Sequence, residues 1–356
     1  MKHRKYSVIV INGKFMSQKL TGVQRYAREI LLELDKLADS SVNIILLTDR
    51  NARDIPDYKN ICVVSAGRLT GNLWEQTTLP VYAFRKKALC VSLCNMAPIL
   101  KPDVVVVHDI NFKVHREFFS KKFAQWYNFV FSLIMKRIKT IFTVSEFSKG
   151  EIEHNYGISP EKIIVTYNGW QHYKRIIADA KALDKFGLAP RDYYFSMSSM
   201  SPNKNFKWIA QAARDNPCVL FAVSGAVNSK VFGESSGFDV PTNMKFLGYI
   251  SDEEAKSLIS NCRAFLFPSF YEGFGIPPLE ALSTGAKAVV SDSSCMKEIY
   301  GDCVYYISPY DPHVDLNALV SQKCGSPQSV LEKYSWKNSA AILYENLLTY
   351  ISSKRD

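Results

Sequence analysis

The 356-residue chain lacks any long apolar run, any internal repeat and any low-complexity tract. Without about 20 consecutive apolar residues, a membrane-spanning helix is excluded. The N-terminal residues also lack the apolar region of a signal peptide. The eight cysteines form no Cys-x-x-Cys pair, and the closest two, Cys90 and Cys94, are expected to be packed thiols on a helix. A reduced, cytosolic protein is the simpler expectation.

Charge is unevenly distributed along a chain that is otherwise ordinary in composition. Hydrophobic residues make up 47% of the sequence, which excludes a disordered chain. The mass of 40.4 kDa suits two domains. Up to His172 there are 25 Lys and Arg against 15 Asp and Glu, and the remainder has 19 of each. A basic half attracts nucleic acid, anionic lipid or a phosphorylated substrate. No nucleic-acid recognition module is present, so we expect no nucleic-acid partner.

One stretch organises the second half of the sequence. Ala264 to Phe267 has the length of a buried parallel strand, and the glycines that follow permit a sharp turn. Pro278 is then expected to be the first helical residue, which places Glu280 in the first turn. Gly285 is the expected end of the helix.

A helix that begins directly after a strand can bind an anion through its backbone N–H groups. Phe274, Gly275 and Ile276 are the amides best placed to do so. Carboxylates accept hydrogen bonds, so Glu272 and Glu280 suit the vicinal hydroxyls of a ribose and a hexose. Singly, each could be a solvated charge or a helix-dipole partner. Their spacing around Gly-Phe-Gly favours a binding role.

The segment from Glu272 to Glu280 resembles the E-x7-E motif of retaining glycosyltransferases with the GT-B fold, glycosyltransferase family 4. The resemblance implies an α/β fold of two doubly wound Rossmann-like domains facing each other across a cleft. It also implies that Glu272 contacts the donor sugar, Glu280 contacts the nucleotide ribose, and the amides between them meet the sugar and the diphosphate.

In the first half, a strand from Tyr6 to Asn12 leads to a helix that Thr21 can cap. Gly22 matches the family glycine that faces the donor phosphates. Arg25 lies near it, either in the same cleft or as an exposed helix residue.

A second candidate lies at the end of the apolar strand after Asp103. His108 and Asp109 follow this strand, and ligands of parallel sheets bind at carboxyl ends of strands. They resemble the His-Asp of the family, which lies beside the transferred sugar. Whether Asp109 takes part or only orients the histidine is left open.

The second half contains a candidate phosphate-binding cation and a candidate contact for the nucleotide base. Lys204 follows a strand and matches the family lysine that contacts the donor phosphate. Relatives add an arginine where this chain has Ser199 or Asn203, and Arg25 could supply the missing charge. Gly248 and Tyr249 match the backbone that borders the nucleotide base.

Residues 114–138 are rich in aromatic side chains, with Lys and Arg clusters at both ends. One hypothesis is a core helix whose aromatic side chains pack under the sheet, which we expect for most of them. The other is a surface that rests on anionic lipid near a lipid-linked acceptor.

The domains implied are 1–172, an acceptor domain, and 173–356, the nucleotide-sugar donor domain. The final helix, near 335–352, is expected to cross back to the first domain.

The predicted function is retaining transfer of a hexose, mannose or rhamnose, from a nucleotide diphosphate sugar to a lipid-diphosphate-linked saccharide in surface polysaccharide (O-antigen or capsule) assembly. No Asp-x-Asp occurs, so we expect neither a metal nor a cofactor. Glu272, His108 and Lys204 are the expected catalytic residues. The expected location is cytoplasmic, peripheral on the inner face of the plasma membrane. Alternatives are a non-catalytic sugar-nucleotide binding subunit and a nucleotide-sugar isomerase.

Overall fold

The structure, a computed structural model, describes residues 6–197, 201–225 and 240–351. The chain divides into two compact units, one of Met1–Asn168 with Ser335–Asp356 and one of Gly169–Tyr334. The first unit therefore ends slightly before residue 172 and includes the last helix of the chain. Of the helices that the structure describes, none combines the length and hydropathy needed to cross a bilayer.

The first unit is built on a seven-stranded parallel sheet in the order β3-β2-β1-β4-β5-β6-β7. Its central strands are apolar on both faces, as expected for a sheet covered by helices on both sides. The strands are β1 (Val8–Asn12), β2 (Asn43–Thr48), β3 (Ile61–Ser65), β4 (Ala88–Ser92), β5 (Val104–Val107), β6 (Thr140–Thr143) and β7 (Ile163–Val165).

Strand β4 corrects the expectation that Cys90 and Cys94 lie on a helix. Cys90 lies within β4 and is buried, and Cys94 lies in the bend that follows the strand. The segment Ala88–Ser92 pairs with β1 on one side and β5 on the other. The four-residue spacing of the two cysteines fits one helical turn, but the five-residue apolar run has the length of a buried strand. Both thiols are nevertheless packed, and burial raises the pKa of each.

The second unit has a six-stranded parallel sheet in the order β10-β9-β8-β11-β12-β13. One of its six strands is the one that the sequence predicts from Ala264 to Phe267. In chain order, the six are β8 (Tyr193–Met197), β9 (Leu220–Ser224), β10 (Met244–Gly248), β11 (Ala264–Phe267), β12 (Ala288–Ser291) and β13 (Tyr305–Ile307).

Helices connect the strands in both units, which gives two parallel-sheet α/β units as predicted. The described helices are α1 (Gly22–Leu37), α2 (Gly71–Arg85), α3 (Asn111–Val114), α4 (Lys121–Met135), α5 (Glu146–Tyr156), α6 (His172–Arg175), α7 (Ala182–Phe186), α8 (Phe206–Asp215), α9 (Asp252–Asn261), α10 (Ile276–Ser283), α11 (Met296–Tyr300), α12 (Leu316–Ser321), α13 (Gln328–Lys333) and α14 (Trp336–Leu348).

Helix α14 completes the first unit by packing on α1. The Trp336 ring is 1% exposed and meets the Tyr26 ring edge-on at 5.8 Å. The Ser339 hydroxyl donates to the carbonyl of Tyr167. Thr21 does precede α1, but its side chain makes no capping hydrogen bond, and its hydroxyl bonds to Gln24 instead.

The aromatic segment of residues 114–138 differs from the core helix that was expected for most of its rings. Phe131 is fully buried, whereas Phe123, Trp126 and Phe129 are 45%, 66% and 58% exposed. A helix buries only one face, and on α4 that face is formed by Ala124, Val130, Phe131, Ile134 and Met135. Trp126 and Phe129 lie on the other side of the helix, with ring centres 6.2 Å apart, and Phe123 lies in the first turn, where its ring stacks on Tyr127.

Candidate active site

The organising loop of the second unit begins where β11 ends, at the carboxyl edge of the sheet. Gly275 has φ +83°, a left-handed conformation that side chains rarely adopt, and a Cβ there would come within 2.8 Å of Cε of Met296. The Tyr300 hydroxyl donates to the carbonyl of Gly275. This turn directs the chain into α10.

Helix α10 begins two residues earlier than the sequence predicts. Ile276 is its first residue, so Pro278 lies inside the first turn and Glu280 lies in the second turn rather than the first. Because Pro277 and Pro278 have no N–H group, the amides at this helix start come from the residues up to Ile276. Phe274, Gly275 and Ile276 therefore carry the last N–H groups before the two prolines, and their contact with an anion stays a prediction.

A second loop is tied to the first by hydrogen bonds. The turn Pro202–Lys204 ends at Asn205, whose side-chain amide donates to the carbonyls of Pro268 (3.1 Å) and Pro309 (2.7 Å). The backbone N–H of Phe270 donates to the carbonyl of Asn203 at 2.8 Å. These bonds hold Lys204 beside the loop that follows β11.

Lys204 and Glu272 form an ion pair at the carboxyl edge of the sheet. Nζ lies 2.5 Å from Oε1, and the two side chains are 21% and 14% exposed. The ammonium group also lies 5.0 Å from the centre of the Phe267 ring. The backbone N–H of Glu272 donates to the Ser294 hydroxyl at 3.2 Å, which fixes the start of this side chain. The structure thus brings together the predicted phosphate-binding cation and the predicted sugar-binding acid.

Glu280 is buried, with 6% of its surface exposed, and it has a partner that the sequence did not suggest. Nε2 of His172 lies 2.7 Å from Oε1 of Glu280, and the imidazole is also buried. An ionised carboxylate has about four lone-pair positions, so hydrogen-bonding capacity remains for ribose hydroxyls.

Gly248 and Tyr249 lie at the carboxyl end of β10. Gly248 has φ +70°, and its carbonyl accepts a hydrogen bond from the N–H of Gly225 at 2.9 Å. Tyr249 is 77% exposed. In the sheet order β10 is three strands from β11, about 14 Å at the usual strand spacing. That separation suits a nucleotide whose base lies near β10 and whose sugar lies near β11.

In the first unit, His108 follows β5 and is held from several sides. Its backbone N–H donates to Oδ1 of Asn95 (2.7 Å), and its Nε2 donates to the carbonyl of Leu93 (2.9 Å). The ring meets Tyr26 edge-on at 4.8 Å. Burial lowers the pKa of His108 from 6.5 to about 4. The neutral ring then has its lone pair on Nδ1, which can accept a hydrogen bond from a hydroxyl group.

The other predicted site residues of the first unit lie at the starts of two helices. Gly22 is the first residue of α1, and Arg25 follows in its first turn, half-buried. Asp109 accepts a hydrogen bond from the N–H of Asn111 at 2.9 Å, so it supports the start of α3. Ser199, where some relatives carry an arginine, lies outside the described residues.

Sequence reasoning missed three residues that shape these sites: His172, Asn205 and Asn95. Asn205 and Asn95 both have positive φ, +56° each, a conformation that asparagine adopts more readily than most residues. An Asn directly after Lys204 was therefore a usable signal. His172 carried none, because its partner is 108 positions away in sequence.

The fold resembles those of solved glycosyltransferase structures. Sucrose-phosphate synthase from Thermosynechococcus elongatus matches with a TM-score of 0.72 and 14% identity over 97% of this chain and 100% of that one. HepE of Anabaena in complex with UDP and glucose gives 0.67 and 16% over 97% and 100%. WaaG, a glycosyltransferase involved in lipopolysaccharide biosynthesis, gives 0.62 and 16% over 95% of each chain. The shared architecture is the GT-B fold.

Two family models match successive parts of the sequence. "Glycosyltransferase Family 4" matches residues 20–171, and "Glycosyl transferases group 1" matches residues 179–321. The fold and these matches define the chain as a GT-B glycosyltransferase. It belongs to glycosyltransferase family 4 and is a hexosyltransferase.

Curated relatives point in the same direction. The O-antigen chain mannosyltransferase RfbU of Salmonella typhimurium is 25% identical over 85% of this chain and 87% of its own length. The O-antigen chain mannosyltransferase B of Escherichia coli is 28% identical over 60% and 58%. The serotype-specific mannosyltransferase WbdA of Escherichia coli is 23% identical over 98% of this chain, which spans 45% of that longer protein.

Proposed function

We propose that this protein is a retaining, metal-independent mannosyltransferase that extends a lipid-linked saccharide during surface polysaccharide assembly. The observation that carries the proposal is the Lys204–Glu272 pair, set beside the turn at Gly275. The mannosyltransferase relatives favour mannose over rhamnose as the donor sugar. The O-antigen relatives support a saccharide acceptor in polysaccharide synthesis.

The proposed chemistry replaces one bond at the anomeric carbon. The bond from C1 to the diphosphate oxygen breaks while the acceptor hydroxyl oxygen bonds to C1 from the same face, and the diphosphate oxygen takes the hydroxyl proton. Lys204 and the amides at the start of α10 stabilise the charge on the departing diphosphate. Glu272 holds the sugar hydroxyls. In the first unit, Nδ1 of the neutral His108 ring is a hydrogen-bond acceptor for a hydroxyl group.

The first experiment measures thermal stabilisation of the protein by UDP-, GDP- and dTDP-sugars, and then transfer to a lipid-diphosphate-linked saccharide. We expect one nucleotide series to stabilise the protein and the matching mannose donor to give a lengthened product. The anomeric configuration of the product, read by NMR, should be the same as that of the donor.

The same assay separates the alternatives. A sugar-nucleotide binding subunit would bind the donor without releasing nucleotide when acceptor is added. An isomerase would form its product from the sugar nucleotide without an acceptor. Inversion at C1 would overturn the retaining mechanism.

We also propose that the protein attaches peripherally to an anionic membrane, at the cytoplasmic face, through the exposed face of α4. Trp126 and Phe129 project from one side of this helix, and Phe123 is exposed in its first turn. From residue 113 to residue 139 the sequence has seven Lys and Arg and one Glu. Aromatic rings that insert at the headgroup level, together with cations that attract anionic lipid, suit an interfacial helix.

Flotation with vesicles tests the attachment. The unsubstituted protein should bind vesicles that contain phosphatidylglycerol and release them as salt rises. Trp126→Ser with Phe129→Ser should abolish most of this binding without a loss of stability, because both rings are exposed. Tyr310→Ser, at a ring 76% exposed in the other unit, is the matched control. Equal binding by all three proteins would exclude α4 as the contact.

A further inference from the structure

His172 and Glu280 form a buried polar pair in the second unit, and the site predicted from the sequence includes Glu280 but not His172. Nε2 and Oε1 are 2.7 Å apart, and the side chains are 1% and 8% exposed. Burying a carboxylate with few hydrogen bonds costs free energy, and a hydrogen bond donated by an N–H group stabilises the carboxylate. The imidazole ring has only two rotatable bonds, so it is an inflexible donor.

The backbone around His172 is fixed on both sides. Before it, the Trp170 indole donates to the carbonyl of Leu331 (2.8 Å), and the Gln171 amide donates to the carbonyl of Tyr334 (3.0 Å). After it, Nζ of Lys256 donates to the carbonyls of Tyr173 (2.7 Å) and Ile176 (2.8 Å). The imidazole therefore approaches Glu280 from a rigid support.

We propose that His172 is a positioning residue for nucleotide recognition: it aims the Glu280 carboxylate so that its remaining lone pairs meet the vicinal hydroxyls of the donor ribose. The inference rests on the proposed function and deepens it. With one carboxylate oxygen held by Nε2–H, the plane of the carboxylate is set before the nucleotide arrives. Such preorganisation strengthens binding because less side-chain freedom is lost on association.

A role in stability alone makes a different prediction. If the pair only held α10 in place, substitution of His172 would weaken the binding of every nucleotide to the same extent. If it aims the carboxylate at the ribose, the loss should depend on whether ribose hydroxyls are present.

The experiment compares two variants with two ligands. His172→Phe keeps a ring and removes the donor, and His172→Gln restores an N–H donor. The ligands are the nucleoside diphosphate, UDP or GDP, that binds the unsubstituted chain more tightly, and its 2′,3′-dideoxy analogue. We expect His172→Phe to lose about tenfold in affinity for the first ligand and almost none for the analogue. His172→Gln should recover most of the loss.

Kinetics give a second readout. Because ribose contacts are made equally before and during transfer, the donor KM should rise in His172→Phe while kcat changes little. Equal losses for both ligands, or a fall in kcat with unchanged KM, would overturn the inference and leave the proposed function standing. If dTDP binds the unsubstituted chain and neither UDP nor GDP does, the inference fails and the proposed function stands, because a deoxyribose has no vicinal hydroxyls. If none of the three binds, both fail.

Discussion

At the scale of single residues, Lys204 and Glu272 are each other's partners, 2.5 Å apart. A donor diphosphate and a donor sugar would each compete for one member of this pair. Glu272→Gln should therefore lower transfer about 10²-fold and yet tighten the binding of the free nucleoside diphosphate, because Lys204 loses a competing carboxylate. Titration calorimetry and a transfer assay on the same preparation measure both effects.

Lys204→Ala completes the comparison. It should lower transfer at least about 10²-fold and weaken nucleoside diphosphate binding as well, because the cation itself is lost. Near-normal transfer in either variant would contradict the roles proposed. If Glu272→Gln and Lys204→Ala both weakened diphosphate binding, the two side chains would not be competitors.

His108 links the candidate site to pH. Its pKa is lowered from 6.5 to about 4 by burial. Between these pH values the unfolded chain takes up a proton that the folded chain does not, so stability falls as the pH is lowered from about 6.5 to about 4. The loss from this one group should approach about 3 kcal/mol. Denaturant unfolding at a series of pH values measures it.

His108→Gln should flatten that part of the pH profile. The exposed His154 on α5, substituted in the same way, controls for loss of a histidine in general. Parallel profiles for the unsubstituted protein and His108→Gln would show that the ring is accessible to protons in the folded state.

At the scale of elements, the turn at Gly275 gives a paired test. Gly275 and Gly285 have φ of +83° and +79°, so an alanine at either is strained by about 1 kcal/mol or more. A Cβ at position 285 meets open space, whereas one at position 275 comes within 2.8 Å of Cε of Met296. Gly275→Ala should therefore be more destabilising than Gly285→Ala, as measured by thermal unfolding.

Donor binding separates the two glycine variants further. Gly275→Ala displaces the amides at the start of α10 and should weaken nucleoside diphosphate binding, and Gly285→Ala should not. Equal binding by both variants would mean that these amides do not contact the diphosphate.

The strands of the second unit could be predicted because each is a short apolar run between turn residues, and Ala264–Phe267 is one of them. Strand β4 was missed because the four-residue spacing of Cys90 and Cys94 also fits a helical turn, whereas the segment pairs with β1 and β5. The start of α10 was misplaced because consecutive prolines are compatible with the first turn of a helix as well as with the residues before it.

The site shows the same division between local and long-range information. Glu272 and Glu280 share one short motif, and Lys204 follows a recognisable strand, so local sequence is enough to propose all three as candidates. The hydrogen-bond partners of Glu280 and His108 reach them only because the fold packs distant segments together. The exposed rings of α4 were misjudged because composition does not show which face of a helix meets the sheet.

At the scale of the whole molecule, α14 belongs to the first unit although the second unit separates it in sequence from the rest. Trp336 of α14 packs on Tyr26, and Tyr26 packs on His108. This row of rings connects the end of the chain to a candidate site residue. The low pKa of His108 depends on burial, so it depends indirectly on α14.

Trp336→Ala tests this dependence. Loss of a large ring that is 1% exposed should destabilise the first unit by about 3–5 kcal/mol and speed amide exchange in α1. Water that enters beside Tyr26 should also move the pKa of His108 upward from about 4 toward 6.5, as followed by NMR titration of its ring protons. Ile342→Ala, at a residue of α14 that is 38% exposed, should change neither quantity appreciably. An unchanged pKa in a destabilised Trp336→Ala variant would show that His108 is kept neutral by its own strand and not by the helix that closes the unit.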